Sequence, residues 1–141
     1  MRWGCSTLST VYYCSARDLW PRSGFTFLMP VKVMVVDDEP MIRRFVTMIL
    51  SGSGYEVVDA DTPEQAVQIM DKNRDFDLLV TDVVMPNVSG RELASRLTER
   101  QPGLRVLFMS GFEAGALQGA AFLQKPFRIP ELLERVRQIL A

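Results

Sequence analysis

The chain contains no histidine, and that absence excludes more than any motif does. Imidazole is the commonest metal ligand, the usual general base and the carrier group of phosphohistidine, so none of these roles is filled from within. If phosphate moves here, this protein receives it. Cysteine is nearly as scarce: Cys5 and Cys14 both stand near the N-terminus, with no further Cys or His to complete a zinc site. The remainder needs neither, which suits a reducing compartment. Net charge is also missing. Sixteen Lys and Arg against 17 Asp and Glu leave −1 over 141 residues, so no global basic field holds nucleic acid or an anionic membrane. The first 29 residues are too polar for a membrane span, and Ser6–Tyr13 is broken by Ser and Thr where a secretory signal needs a sustained apolar run. We therefore expect a cytoplasmic protein with no direct nucleic-acid or membrane contact.

What is present suits one domain with its own core: 48% hydrophobic and 23% charged residues make a globular composition. Residues 1–29 show little periodicity. Met29 stands just before the first clear strand, so we expect a non-native or poorly ordered leader over 1–29 and the domain over 30–141. From Val31 the pattern becomes regular. V-K-V-M-V-V-D, Y-E-V-V-D-A, F-D-L-L-V-T-D, L-R-V-L-F-M-S and A-A-F-L-Q-K read as strands, several of them nearly continuously apolar, as in a sheet covered on both faces. Helical stripes stand between them. Ile42, Phe45, Val46, Ile49 and Leu50 make one, ended by Ser51-Gly52-Ser53-Gly54; Thr62-Pro63-Glu64-Gln65 and Ser89-Gly90-Arg91-Glu92 read as capping boxes for two more. Ile129, Leu132, Leu133, Val136, Ile139 and Leu140 stripe the last. This alternation predicts a parallel sheet with helices on both sides.

In such sheets ligands bind beyond the carboxyl ends of the strands. The first strand ends in Asp37-Asp38, the third in Asp82, the fourth in Ser110 and the fifth in Lys125-Pro126. Three carboxylates, a hydroxyl and an ammonium are thus expected on one edge. Adjacent like charges are costly to desolvate, so the fold must supply a cation or a use for them.

V-V-D-D-E-P, L-L-V-T-D-V-V-M-P-N-V-S-G, L-F-M-S-G and F-L-Q-K-P-F, in that order, resemble the receiver domain of two-component response regulators over about Val31 to Ala141. The resemblance implies a doubly wound, flavodoxin-like α/β fold with five parallel strands in the order 2-1-3-4-5. It implies phosphorylation of Asp82 by a histidine kinase or a histidine phosphotransfer protein, and a Mg2+ cofactor. Asp38 and Asp82 would ligate the metal directly, Val84 through its backbone carbonyl, and Asp37 directly or through water. Lys125 matches the lysine that meets a phosphoryl oxygen, followed by a cis peptide to Pro126. Ser110 matches the hydroxyl that moves to the phosphoryl group, and Phe122 the aromatic switch that follows it. The protein would catalyse only its own phosphorylation and dephosphorylation.

Each residue also has a structural reading. Asp37 or Asp38 alone more often caps the following helix, Ser110 alone satisfies loop amides, and Lys125 alone is a solvated charge. Glu39 reads as first-turn helix charge, Phe122 equally as core, Met85-Pro86 as loop shaping and Gly90 as relief for a tight turn. Two departures from the family pattern stand out. Only fourteen residues separate Ser110 from Lys125, and E-A-G-A-L-Q-G-A-A among them predicts a short, displaced or frayed fourth helix. Val84 and Phe112, at the positions that help or hinder the attacking water, are both apolar, which predicts slow self-dephosphorylation. F-L-Q-K-P-F before a terminal helix also resembles receivers at the C-terminus of hybrid sensor kinases. No chain follows Ala141 to supply a DNA-binding output, so a single-domain receiver is expected. A phosphorylation-independent interaction module of the same fold would lack one of Asp38, Asp82 or Lys125; an aspartyl-phosphate phosphohydrolase would carry its nucleophile in D-x-D on the first strand.

Overall fold

The computed structural model describes residues 30–73, 75–111 and 120–141. Along them run five strands and four helices: β1 Lys32–Val36, α1 Pro40–Gly52, β2 Glu56–Ala60, α2 Pro63–Lys72, β3 Leu78–Asp82, α3 Gly90–Arg100, β4 Arg105–Ser110, β5 Ala121–Gln124 and α4 Ile129–Leu140. The strands are all parallel and lie in the order β2-β1-β3-β4-β5. The parallel sheet expected from the apolar runs, and the strand order implied by the resemblance, are therefore the observed ones. The 1–29 leader and the expected fourth helix between β4 and β5 fall on or among residues outside those described. Among the described residues no helix is long and apolar enough to cross a membrane.

Strand burial explains the sequence pattern. Every residue of β1 is buried, as are the first four of β3, because side chains alternate between two faces that are both covered. Met34, Val36, Leu79 and Phe108 pack on one face with Ala66 and Met70 of α2 and Leu93 and Leu97 of α3. Val46 and Leu50 of α1 and Leu132 and Val136 of α4 are buried outside that cluster, and with Val33, Val35, Val80 and Leu107 they form the second layer. Fully burying each such side chain contributes about 1.5–3 kcal/mol. The edge strand β2, with Glu56 and Asp59 exposed, is polar on its outer positions, which discourages pairing with another chain.

The helix ends show which local signals act. Thr62 Oγ1 accepts from Gln65 N–H at 3.1 Å, and Gln65 Oε1 returns the bond to Asp61 N–H at 2.9 Å, one residue before the cap. Ser89 Oγ accepts from Glu92 N–H at 3.1 Å, but the expected return bond gives way to an ion pair of Glu92 with Arg96 at 3.5 Å. In α4 Glu131 accepts from Arg128 N–H at 2.7 Å, a cap the sequence analysis passed over. α1 ends where Gly54, at φ +97°, turns the chain and Tyr55 N–H reaches back to Leu50 O at 3.1 Å.

Gly90 has a different reason from the one expected. It does not sit at positive φ; instead a Cβ there would lie 1.9 Å from the Asp82 carbonyl oxygen and 2.9 Å from its carbon. Its backbone N–H bonds Val83 O at 2.8 Å, so α3 begins in direct contact with the end of β3. The loop between them turns at Asn87, whose φ of 72° suits an Asn side chain better than most. Gly90→Ala should lower the denaturant midpoint by the equivalent of about 1–3 kcal/mol, the cost of overpacking against backbone that cannot give. Gly103→Ala, with open space around the new Cβ, should be neutral or stabilising by about 0.4–1 kcal/mol through the unfolded chain. Equal behaviour of the two variants in urea melts would contradict this reading.

Candidate functional site

Strand register brings the site together. Val36 of β1 pairs with Thr81 of β3, which sets Asp37 level with Asp82; Asp82 pairs with Met109 of β4, and Ser110 with Gln124 of β5. The residues that leave each strand therefore share one rim. They line a cleft of about 520 Å³ formed by Asp38, Glu39, Pro40, Asp82, Val84, Ser110, Gly111 and Lys125. Asp37 lies beneath it, fully buried.

Asp37 is fixed at each polar end. Its Oδ1 accepts from Glu39 N–H at 2.9 Å, its Oδ2 meets Lys125 Nζ at 3.1 Å, and its carbonyl accepts from the Arg43 guanidinium at 2.8 Å. The capping alternative was thus partly right: Asp37 orders the chain entering α1 and also meets Lys125 from beneath the cleft. Glu39 takes the N-cap position, exposed and without a side-chain capping bond, where first-turn charge was expected. Pro40 starts the helix because its missing N–H costs nothing there.

Lys125 Nζ also stands 3.5 Å from Asp82 Oδ2. The ammonium is therefore shared, and its shorter contact is to Asp37. Lys125 N–H bonds Ser110 O at 2.7 Å, so the fourth and fifth strand ends are tied by backbone. The Lys125-Pro126 peptide is cis, as the resemblance implied. Beyond it the Phe127 ring lies 6.3 Å, centroid to centroid, from that of Phe45 on α1.

Carboxylate oxygens of Asp37, Asp38 and Asp82 all lie within 4.8 Å of one another. Oxygen ligands of one octahedral Mg2+ stand about 3 Å apart when adjacent and about 4 Å when opposite, so this spacing fits such an ion with small side-chain adjustments. Charge agrees: three carboxylates against one ammonium leave two negative charges, which a divalent cation neutralises. Asp38, the exposed member, is the freest to adjust.

The remaining candidates divide. Ser110, 2% exposed, and Val84, 55% exposed, border the cleft. Phe122 lies apart from it, paired in register with Phe108 and half-buried against the core. Met85 is buried and Pro86 exposed in the β3–α3 loop. Phe112 falls outside the described residues. Arg43 was missed, although one signal was available: it shares the i, i+3, i+7 stripe of Val46 and Leu50 on α1, an unusual place for a charge.

Burial pushes the Asp82 carboxyl above its ordinary value of 3.8; the Lys125 ammonium and the Val84 N–H pull the other way, and the Asp37 charge adds to the rise. An acid whose folded pKa is raised destabilises the fold at pH above both values, and the penalty vanishes below its unfolded value. In chelator at pH 7, Asp82→Asn should raise the thermal midpoint over wild type, and the gain should shrink as pH falls toward 3.8. A midpoint lowered by the substitution at pH 7 would show that Asp82 holds the fold together instead of straining it.

The profile of the response regulator receiver domain matches residues 33–137. Among curated proteins, the response regulator receiver protein CpdR of Brucella abortus (strain 2308) is 34% identical over 116 residues, covering 77% of this chain and 96% of the relative. Among solved structures, the receiver domain from the hybrid histidine kinase CckA superposes with a TM-score of 0.70 at 35% identity, over 78% of this chain and 99% of that one. The chemotaxis response regulator CheY4 of Vibrio cholerae does so with a TM-score of 0.72 at 31% identity, over 79% and 100%. The protein thus belongs to the response regulator receiver domain family of two-component signalling.

Proposed function

We propose that residues 30–141 are a cytoplasmic phosphoacceptor unit in which Asp82 takes a phosphoryl group from a histidine kinase or histidine phosphotransfer protein and thereby changes the chain's protein contacts. One observation carries this reading: a half-buried carboxylate of raised pKa, with an ammonium at 3.5 Å and two further carboxylates within 4.8 Å, at the mouth of an open cleft. An Asp82 oxygen attacks phosphorus, a P–O bond forms, and the P–N bond to the partner's imidazole breaks with its electron pair returning to nitrogen. Because these 141 residues contain no histidine, the donor group lies outside them, on a histidine phosphoprotein or a small phosphodonor.

Catalysis of such a transfer is positioning and charge neutralisation. Asp37, Asp38 and Asp82, with the Val84 carbonyl, would hold Mg2+, which when bound offsets the negative charge shared by carboxylates and phosphoryl oxygens. Lys125 is already aimed at the Asp82 oxygen and exchanges that contact for a phosphoryl oxygen. Ser110 stands at the rim of the same cleft, from where its hydroxyl reaches the new group. Ser110 and Phe122 lie on paired strands, which supports Phe122 as the side chain that transmits the change. Met41, 81% exposed beside Pro40, and Val84 give a docking partner apolar contact next to the cleft.

Intact mass after incubation with Mg2+ and a small phosphodonor tests this. Wild type should gain one phosphoryl group per chain, and Asp82→Asn none. The Val84 side chain presents no hydrogen-bonding group to a water at the rim, so the adduct should be long-lived, and Val84→Gln should shorten its lifetime by about tenfold or more. Labelling of Asp82→Asn equal to wild type would overturn the assignment of the acceptor.

A further inference from the structure

Asp37 and Asp38 stand on a short link between β1 and α1, and the link is held from the side by one residue outside the cleft. The Arg43 guanidinium donates from one terminal nitrogen to Asp37 O at 2.8 Å and from Nε to Asp59 Oδ2 at 3.1 Å. Arg43 is largely buried, with its side chain 18% exposed, against 50% for Asp59. Asp59 lies on β2, one residue short of Ala60, whose carbonyl receives Asp37 N–H at 3.4 Å. That backbone bond is long. Where the β1–β2 ladder ends at Val36 and Ala60, the arginine fork thus adds a second tie from Asp37 to the neighbouring strand.

We infer that Arg43 is a positioning residue for the acidic site: by clamping the Asp37 carbonyl to β2 it sets where the Asp37 and Asp38 carboxylates point, and thereby how well they hold a divalent cation. The inference rests on the reading of the cleft as a cation and phosphoryl site. Its physical basis is the planar fork, which satisfies two acceptors in fixed directions, whereas a lysine ammonium is a point charge on a flexible stem. Groups that orient metal ligands without touching the metal typically govern affinity by about 10–100-fold.

The sign of the effect separates positioning from simple electrostatics. Removing a positive charge beside an acidic cleft should, by Coulomb's law alone, tighten cation binding. Loss of the clamp should weaken it. Calorimetric titration of the full chain with MgCl2 should give affinities about tenfold weaker for Arg43→Met, with Arg43→Lys also weakened although its charge is kept. Thermal midpoints in chelator, read alongside, show that each variant is folded. Arg43→Met binding Mg2+ as tightly as wild type or more tightly, or Arg43→Lys matching wild type, overturns the inference while leaving the cleft reading intact. A wild-type chain that takes up no Mg2+ overturns both.

Discussion

Three carboxylates sharing one rim with a single ammonium are the constraint around which this molecule is arranged. Left alone, the acids repel each other and resist burial, and the raised pKa of Asp82 records that cost. Lys125 offsets part of it by touching both Asp37 and Asp82, and its backbone is tied to the end of β4 through Ser110. The result is an uncompensated negative pocket in the folded chain. A divalent cation held there would relieve that cost, an arrangement in which function and stability compete.

The fold supplies what the acids cannot supply for themselves. Parallel register sets the strand ends level, Gly90 lets α3 press against the Asp82 carbonyl, and the Asp37 carboxylate orders the chain entering α1. Arg43 closes the arrangement from the β2 side. At the opposite edge of the sheet another buried acid is treated differently. Asp77 Oδ2 accepts from Lys32 N–H at 2.9 Å, and Gln101 brackets Phe76 by accepting from its N–H at 3.1 Å and donating to its carbonyl. There the polar groups close on one another.

Much of this was readable beforehand, for physical reasons that differ by element. Nearly continuous apolar runs announce a sheet covered on both faces, and runs ending in Asp37, Asp82, Ser110 and Lys125 announce the rim, because a parallel sheet delivers all strand ends to one edge. Thr62 and Ser89 announce helix starts through short-range bonds. Partners chosen by tertiary distance were not readable. Arg43 meets Asp59 across sixteen positions, Gln101 meets Phe76 across twenty-five, and Glu92 prefers Arg96 to its own cap. Gly90 was marked, but for backbone freedom, whereas its cause is the approach of another chain segment, which no local pattern carries.

If the carboxylates and the ammonium form one site, the cation and a phosphoryl-like anion must each raise the other's affinity by the same factor. Calorimetric titration of the full chain with beryllofluoride, with Mg2+ present and again in chelator, measures this coupling directly. The account predicts one anion bound per chain when the metal is present and no detectable heat without it. Anion binding of equal strength in both titrations would contradict it.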